Sequence, residues 1–225
     1  MKKKSEYPFL SDQTIEKLIR DFSFENVLDI GCGFGKHSDI LRNAGKQVTS
    51  IDYVPQYEHA IAADYLDHEF DQQFDCLWLS HVLEHQVNVN FFLTKLHRDL
   101  REGGVLAITV PPLKHKIVGG HVTLWNPGIL LYNLILAGFD CSEASVRRYG
   151  YNISVITPKK TADLSQCKLK FANGDIEELA RFFPQTDEIE WKQAFDGNFE
   201  AINWEFEPEP VSLGKRIKRI FRRAA

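Results

Sequence analysis

The stretch Asp29-Ile30-Gly31-Cys32-Gly33-Phe34-Gly35 decides the fold of this 225-residue chain. The apolar residues around Asp29, which are Val27, Leu28 and Ile30, predict a buried strand. Glycine at every second position then lets the backbone turn sharply and approach a ligand closely. Residues 36–44 have helical character, so the loop leads into a helix N-terminus, which favours polar and anionic ligand groups. The pattern predicts a nucleotide-type site after the first strand of an open α/β sheet.

The spacing of the glycines separates two ligand classes. The dinucleotide fingerprint requires glycine at its first, third and sixth places, and the sixth place here is Lys36. An acidic residue two places before Gly-x-Gly-x-Gly instead resembles motif I of class I S-adenosylmethionine-dependent methyltransferases. The resemblance implies S-adenosylmethionine as cofactor, and it places four residues in the cofactor site: Asp29, Gly31, Gly33 and Gly35.

Two acidic positions extend this resemblance. Asp52 closes a predicted strand over residues 47–51 and follows Gly31 by 21 residues, where its carboxylate can accept hydrogen bonds from both ribose hydroxyls. Asp64 corresponds by resemblance to the acid that accepts a hydrogen bond from the adenine amino group, and Tyr65 is then expected to line the ring. Without the glycine loop, Asp52 would be interpreted as a turn cap and Asp64 as a surface acid.

The segment Ser80-His81-Val82-Leu83-Glu84-His85 follows a predicted strand over residues 74–79. Open α/β sheets place ligands at such strand ends. The segment resembles the one after the fourth strand in a broad methyltransferase group that acts on small molecules, lipids and sugars. We therefore expect Ser80 to contact the cofactor and His81 the substrate. For His85, a structural role at a helix start and a substrate-facing role both remain open.

A later segment, Gly120-His121-Val122-Thr123-Leu124-Trp125, precedes a predicted helix that ends in Ala-Gly-Phe. It resembles the late segment of the same methyltransferase group, in which the preceding loop closes over the acceptor. Paired prolines and glycines suit such a lid. We expect His121 to lie near the acceptor and Trp125 to contact it.

The predicted reaction is in-line methyl transfer to a hydroxyl of a small molecule or glycan, with His85 or His121 as the base. An imidazole is suited to this task because its ordinary pKa of about 6.5 lies near working pH. No cluster of carboxylates indicates a metal site. Two alternatives remain open: a non-catalytic, cofactor-binding regulatory protein on the same fold, and an NAD-type oxidoreductase, which Lys36 disfavours.

Strand and helix patterns alternate along residues 1–158 and end in a hairpin. They predict an α/β fold with a Rossmann-like, doubly wound, mainly parallel sheet. The resemblance implies seven strands, the last of them a closing antiparallel strand, with the weakest pattern at residues 59–63. Residues 159–210 are expected to form an acidic, aromatic-rich addition packed on the core or on a second subunit of a homo-oligomer.

Charge is distributed unevenly along the chain. The net charge is −4, but the last 15 residues hold six cations, and the remainder has 21 basic and 31 acidic residues. Because so acidic a body repels phosphate backbones, we expect no nucleic-acid partner. Residues 211–225 form a basic amphipathic pattern typical of a helix on an anionic membrane surface. A solvated tail and a helix docked on the acidic body are the alternatives.

The cellular compartment is predicted from two features that the sequence lacks, which are paired cysteines and long apolar runs. The four cysteines are scattered and form no Cys-x-x-Cys pair, as expected of free thiols in a reducing compartment. No run has the length and apolarity of a signal peptide or a membrane span. We therefore expect a cytoplasmic protein, which the basic tail would bring to the inner face of the membrane.

Overall fold

The computed structural model describes residues 10–172, 175–185 and 194–205. The helices, numbered along the chain, are α1 (Asp12–Asp21), α2 (Lys36–Asn43), α3 (Val89–Asp99), α4 (Pro127–Leu136) and α5 (Asp175–Leu179). The strands are β1 (Asn26–Ile30), β2 (Gln47–Asp52), β3 (Ala60–Ala62), β4 (Phe74–Ser80), β5 (Leu100–Val110), β6 (Ser145–Tyr149), β7 (Asn152–Pro158) and β8 (Ala201–Ile202).

All of these strands belong to one sheet with the order β3-β2-β1-β4-β5-β7-β6-β8. Strands β3, β2, β1, β4 and β5 are parallel, whereas β7 runs antiparallel to both β5 and β6. The predicted Rossmann-like, mainly parallel sheet with a closing antiparallel strand is confirmed, including the weakly patterned β3. An eighth strand, β8, adds to the predicted seven and pairs antiparallel with β6.

Helices cover both faces of the sheet, because successive strand residues point to opposite sides. Leu77 and Leu79 of β4 pack in a core that includes Phe92 of α3 and Leu131 of α4. The intervening residue Trp78 packs on the other face, in a core that holds side chains of α1 and α2. Since both faces are buried, the central strands are almost continuously apolar.

The described parts of residues 159–210 pack against this body. Leu179, Phe182 and Phe183 are buried in the same core as the apolar residues of α3 and α4. Strand β8 extends the sheet beyond β6. Residues 186–193 and 206–210, and the whole predicted tail over 211–225, lie outside the described residues. Within the described ranges, no helix has both the length and the apolarity needed to cross a bilayer.

Candidate functional site

The glycine loop connects β1 to α2 at the carboxyl edge of the sheet. Gly31, Gly33 and Gly35 have φ values of 71°, 52° and 73°, which residues with a Cβ rarely adopt. A Cβ on Gly31 would lie 2.4 Å from Cγ2 of Val82, and a Cβ on Gly35 would lie 2.3 Å from the ring of Tyr57. The loop therefore needs glycine at these two positions for both its conformation and its packing.

Asp52 is held by the backbone at the end of β2. Its Oδ2 accepts a hydrogen bond of 2.8 Å from the N–H of Gly33, and its Oδ1 accepts one of 2.9 Å from the N–H of Val54. A carboxylate oxygen has more than one acceptor site, so each oxygen keeps capacity for a ligand hydroxyl. The half-buried carboxylate is thus fixed in orientation and still available.

Asp52 lines a cavity of about 250 Å³ above the carboxyl ends of β1, β2 and β4. The cavity combines the glycine loop, two acids and two histidines. Its lining residues are Ile30, Gly31, Ile51, Asp52, Tyr53, Ala63, Asp64, Tyr65, His81, Val82, His85, Gln86 and Phe92. Several of the positions predicted from separate sequence segments therefore share one cavity.

Asp64 and Tyr65 reach this cavity in different ways. Asp64 is exposed, and its Oδ1 accepts a hydrogen bond of 2.9 Å from the N–H of Leu66, which fixes the turn. Tyr65 is buried, and its hydroxyl donates a 2.9 Å hydrogen bond to Oδ2 of Asp99. Burial and the neighbouring Asp99 carboxylate raise the pKa of the Tyr65 phenol. Tyr65 therefore presents an apolar ring to the cavity, while its hydroxyl is hydrogen-bonded to Asp99.

Asp29 lies beneath the glycine loop and outside the cavity wall. Its side chain is buried and accepts a hydrogen bond from the hydroxyl of Ser38. Burial raises the pKa of the Asp29 carboxyl to about 7. In this position Asp29 joins β1 to α2 and supports the glycine loop.

Ser80 faces away from the cavity, toward the start of α1. Its Oγ lies 2.7 Å from Oγ of Ser11. Ser11 also donates its backbone N–H to Oδ1 of Asn152 at 3.3 Å. The Ser80 hydroxyl links the residue before α1 to the end of β4, and Ser80 does not line the cavity.

His81 lies at the cavity edge in the left-handed conformation, with φ 59°. Its Nε2 is 3.0 Å from Oδ1 of Asn152, and its Nδ1 is 3.2 Å from Oε1 of Glu84. The ring stacks on Tyr151 with a centroid distance of 5.8 Å. Because both ring nitrogens face protein oxygens, His81 is held firmly within the cavity wall.

His85 ends a 3₁₀ turn, Leu83–His85, and lies 5.0 Å from His121, measured between ring centroids. Its Nδ1 is 2.7 Å from the carbonyl oxygen of Gly120. A carbonyl can only accept, so Nδ1 carries the hydrogen and Nε2 of the neutral ring has a free lone pair. The structure brings together two histidines that are 36 residues apart in sequence.

Glu84 is a site residue that the sequence analysis did not single out. Its side chain is 1% exposed, and Oε1 lies 3.8 Å from Nε2 of His85. No described residue donates a hydrogen bond of acceptable geometry to either carboxylate oxygen. An acid between two histidines in His-x-x-Glu-His was the available signal, but sequence alone did not show that its side chain is buried beside both.

A second, smaller cavity lies beside His121 under the 111–124 loop. Its lining residues are Pro111, Pro112, Lys114, Lys116, Ile117, Val118, His121, Thr123, Leu124 and Tyr151. Because His85 lines the first cavity and contacts His121, the histidine pair lies between the two cavities.

Trp125 lines neither cavity. It is 2% exposed and donates its Nε1 hydrogen to Oγ1 of Thr123 at 3.0 Å. Trp125 thus belongs to the core, contrary to its expected contact with substrate.

The family comparison identifies the domain that carries this site. A family model described as a methyltransferase domain matches residues 5–134, more than half of the chain. The match spans the glycine loop, both acids of the first cavity and the histidine pair. It ends within α4, before β6, β7 and β8.

Curated relatives match part of the chain only. A malonyl-[acyl-carrier protein] O-methyltransferase of Pseudescherichia vulneris is 34% identical over 95 residues, which cover 37% of this chain and 38% of that protein. A ubiquinone biosynthesis O-methyltransferase of Rickettsia conorii is 26% identical over 132 residues, covering 50% and 46%. The chain therefore spans less than half the length of these two relatives.

Solved structures share the fold. A Burkholderia thailandensis 1,6-didemethyltoxoflavin-N1-methyltransferase, solved with 1,6-didemethyltoxoflavin and S-adenosylhomocysteine, is 20% identical with a TM-score of 0.58, covering 67% of this chain and 78% of that one. An S-adenosylmethionine-dependent methyltransferase from Clostridium acetobutylicum is 11% identical with a TM-score of 0.54, covering 68% and 93%. At such identities the likeness establishes the architecture alone.

Proposed function

This chain belongs to the class I S-adenosylmethionine-dependent methyltransferases, and we propose that it methylates a hydroxyl oxygen of a small molecule. The observation that carries the proposal is the histidine pair between two cavities, where Nδ1 of His85 is bonded to Gly120 and Nε2 of the neutral ring keeps a lone pair. The family match also sets aside the NAD-type oxidoreductase that the glycine spacing had left open.

We assign the first cavity to the cofactor. Asp52, oriented by two backbone N–H groups, accepts hydrogen bonds from the ribose hydroxyls. Asp64 accepts from the adenine amino group, and Tyr65 presents its ring to the base. Gly31 forms the floor close to the ligand because it has no side chain. Asp29 and Ser80 are positioning residues, since each is bonded to another part of the fold.

We assign the second cavity to the acceptor. The cofactor, when bound, supplies an electrophilic methyl group, so the protein has to orient the acceptor, exclude water and remove a proton. The 111–124 loop, with its exposed apolar residues Leu113, Ile117 and Leu124, is suited to cover an acceptor. His85 accepts the hydroxyl proton at Nε2, while its Nδ1–H stays bonded to Gly120.

The names of the curated relatives support oxygen as the atom that is methylated. The curated relatives quoted above are named O-methyltransferases, although the alignments cover under half of their length. The Burkholderia neighbour binds a small molecule, but it is named an N1-methyltransferase. The histidine pair favours oxygen because a hydroxyl must lose its proton, which a base assists. A sugar hydroxyl is the acceptor class to test first.

A release assay for S-adenosylhomocysteine tests the proposal. The protein is incubated with S-adenosylmethionine and a panel of sugars, nucleotide sugars and phenols. His85→Asn should lower turnover by about 10²–10⁴-fold, the usual contribution of a general base. His59→Asn, at an exposed histidine that lines neither cavity, is the matched control and should leave turnover unchanged. Equal turnover in His85→Asn and the original protein would contradict the role of His85.

A non-catalytic, cofactor-binding protein is the second outcome of the same assay. Such a protein would bind S-adenosylhomocysteine but would form none from S-adenosylmethionine with any acceptor. Membrane contact through residues 211–225 stays a prediction, because the tail lies outside the described residues. Assembly into a homo-oligomer also stays a prediction. Sedimentation with anionic vesicles, with and without residues 212–225, tests the membrane contact.

A further inference from the structure

Glu84, His85 and His121 each present a ligand atom, and these atoms lie within 4.8 Å of one another. We propose that the three side chains form a site for a divalent transition metal of the zinc type, between the cofactor and acceptor cavities. The role of this metal in catalysis rests on the proposed function. Its binding does not, because it can be measured without any methyl transfer.

The first observation is the burial of Glu84. Its side chain is 1% exposed, yet neither carboxylate oxygen accepts a hydrogen bond of acceptable geometry from the described residues. A buried carboxylate is strongly destabilised unless it is paired or coordinates a cation. His81 Nδ1 lies 3.2 Å from Oε1 but makes no hydrogen bond of acceptable geometry to it, and Oε2 has no donor among the described residues. A metal ion at Glu84 would supply the missing partner.

The second observation is the orientation of His85. Its Nδ1–H donates to the carbonyl oxygen of Gly120, which leaves the Nε2 lone pair free 3.8 Å from Oε1 of Glu84. Histidines that bind metals almost always donate their other ring N–H to a carbonyl or carboxylate in this way. Gly120 also allows the approach, because a Cβ there would lie 3.1 Å from Nδ1 of His85. The residue that orients His85 directly precedes His121 in the chain.

The distances fit a shared ion. Zinc bonds to histidine nitrogen and to carboxylate oxygen are about 2.0–2.2 Å long, so two ligands of one tetrahedral ion lie roughly 3.3–3.6 Å apart. The Nε2 of His85 and Oε1 of Glu84 are only slightly farther apart, at 3.8 Å. Small side-chain rotations of His85 and the half-buried His121 would close the site.

The chemistry of the three ligand side chains indicates which metal the site would bind. Two imidazoles and one carboxylate suit zinc and neighbouring transition metals, whereas Mg²⁺ prefers oxygen ligands and keeps several waters. Three protein ligands leave a fourth position open, as in catalytic zinc sites. The site was not predicted from sequence because its ligands include one buried acid and two histidines that are 36 residues apart.

The metal would change how the acceptor loses its proton. An acceptor hydroxyl bound at the open position would have its pKa lowered by the cation and release its proton to solvent. Its oxygen then forms the bond to the methyl carbon as the carbon–sulfur bond breaks, and the electron pair stays on sulfur. In the metal-loaded site, Nε2 of His85 is a ligand. The free-base role described above belongs to the metal-free site.

Calorimetric titration of the full-length protein with Zn²⁺ tests the site, after chelator treatment and removal of the chelator. We expect one Zn²⁺ per chain and no comparable binding of Mg²⁺. His121→Asn and Glu84→Gln should each weaken Zn²⁺ binding by about 100-fold or more, because even changes beyond the ligands cost about 10–100-fold. His115→Asn, a loop histidine outside the cluster, should bind Zn²⁺ as the original protein does.

Two controls distinguish loss of the zinc site from loss of folding. Glu84 is buried, so circular dichroism melting checks whether Glu84→Gln folds, and the half-buried His121 provides a variant less coupled to the core. Absence of stoichiometric Zn²⁺ binding, or equal binding in His121→Asn and the original protein, would overturn the site. Zinc binding without methylation of any acceptor would overturn the proposed function and leave the site standing. Undiminished methyl transfer by metal-free protein would overturn the metal's catalytic role.

Discussion

The backbone N–H of Gly33 donates a 2.8 Å hydrogen bond to Oδ2 of Asp52. This bond joins the loop after β1 to the end of β2, so the glycine loop and the acid assigned to the ribose form one rigid unit. Because Val54 binds the other carboxylate oxygen, the Asp52 side chain is oriented before any ligand arrives. Changes in the loop should therefore alter cofactor affinity through Asp52 as well as through direct contact.

Gly31→Ala should abolish or strongly weaken S-adenosylhomocysteine binding. A Cβ at φ 71° is strained, and it would lie 2.4 Å from Cγ2 of Val82. Gly45→Ala is the matched control, because Gly45 has φ 82° but a Cβ there meets nothing within 4 Å. Both variants should lose about 1–2 kcal/mol of stability to backbone strain, and Gly31→Ala should lose more because of the clash with Val82. Only Gly31→Ala should lose affinity by calorimetry, and equal affinities would contradict the close approach at Gly31.

Asp29→Asn should flatten the dependence of stability on pH. Burial raises the pKa of the Asp29 carboxyl to about 7, above its ordinary value of about 3.9. Between these values the folded state holds a proton that the unfolded state releases, so stability falls as pH rises from about 4 to 7. Three pKa units correspond to about 4 kcal/mol at most.

The measurement for Asp29 is urea unfolding at pH 4.5 and pH 8. The free energy of unfolding should differ less between the two pH values in Asp29→Asn than in the original protein. Asp71→Asn, at an exposed acid, should keep the original difference. An unchanged difference in Asp29→Asn would show that this carboxyl does not titrate as its burial requires.

Trp125→Phe should lower stability and leave the Michaelis constant for the acceptor unchanged. Trp125 is buried and its Nε1–H is bonded to Thr123, so the change removes core packing and a hydrogen bond. The expected loss is about 1–3 kcal/mol. Leu124→Ala is the contrasting variant, because Leu124 is 57% exposed and lines the second cavity. It should raise the acceptor Michaelis constant with little effect on the melting temperature.

The fold and the cavity that we assign to the cofactor were predictable from sequence where a few neighbouring residues encode them. The glycine loop, the strand before it and the acid that ends β2 are each encoded by a few neighbouring residues, and parallel strands bring their carboxyl ends together. Asp52, Asp64 and Gly31 therefore lie in one cavity, as expected. Strand β8 was missed because two residues are too few for any periodicity.

The roles of individual side chains were less predictable, because they depend on contacts between distant segments. Ser80 is bonded to Ser11, which is 69 residues earlier in the chain. The motif around Trp125 does not reveal which face of the loop the indole occupies. Glu84 becomes notable only when its burial and the approach of His121 are known.

The measurement that tests the account most directly is calorimetric titration with S-adenosylhomocysteine of the original protein, Asp52→Ala and Asp71→Ala. Hydrogen bonds to a charged group contribute about 1.5–3 kcal/mol each. The account predicts micromolar binding to the original protein and to Asp71→Ala, with at least about tenfold weaker binding to a folded Asp52→Ala. Equal binding to Asp52→Ala, or no binding to the original protein, would contradict the assignment of this cavity to the cofactor.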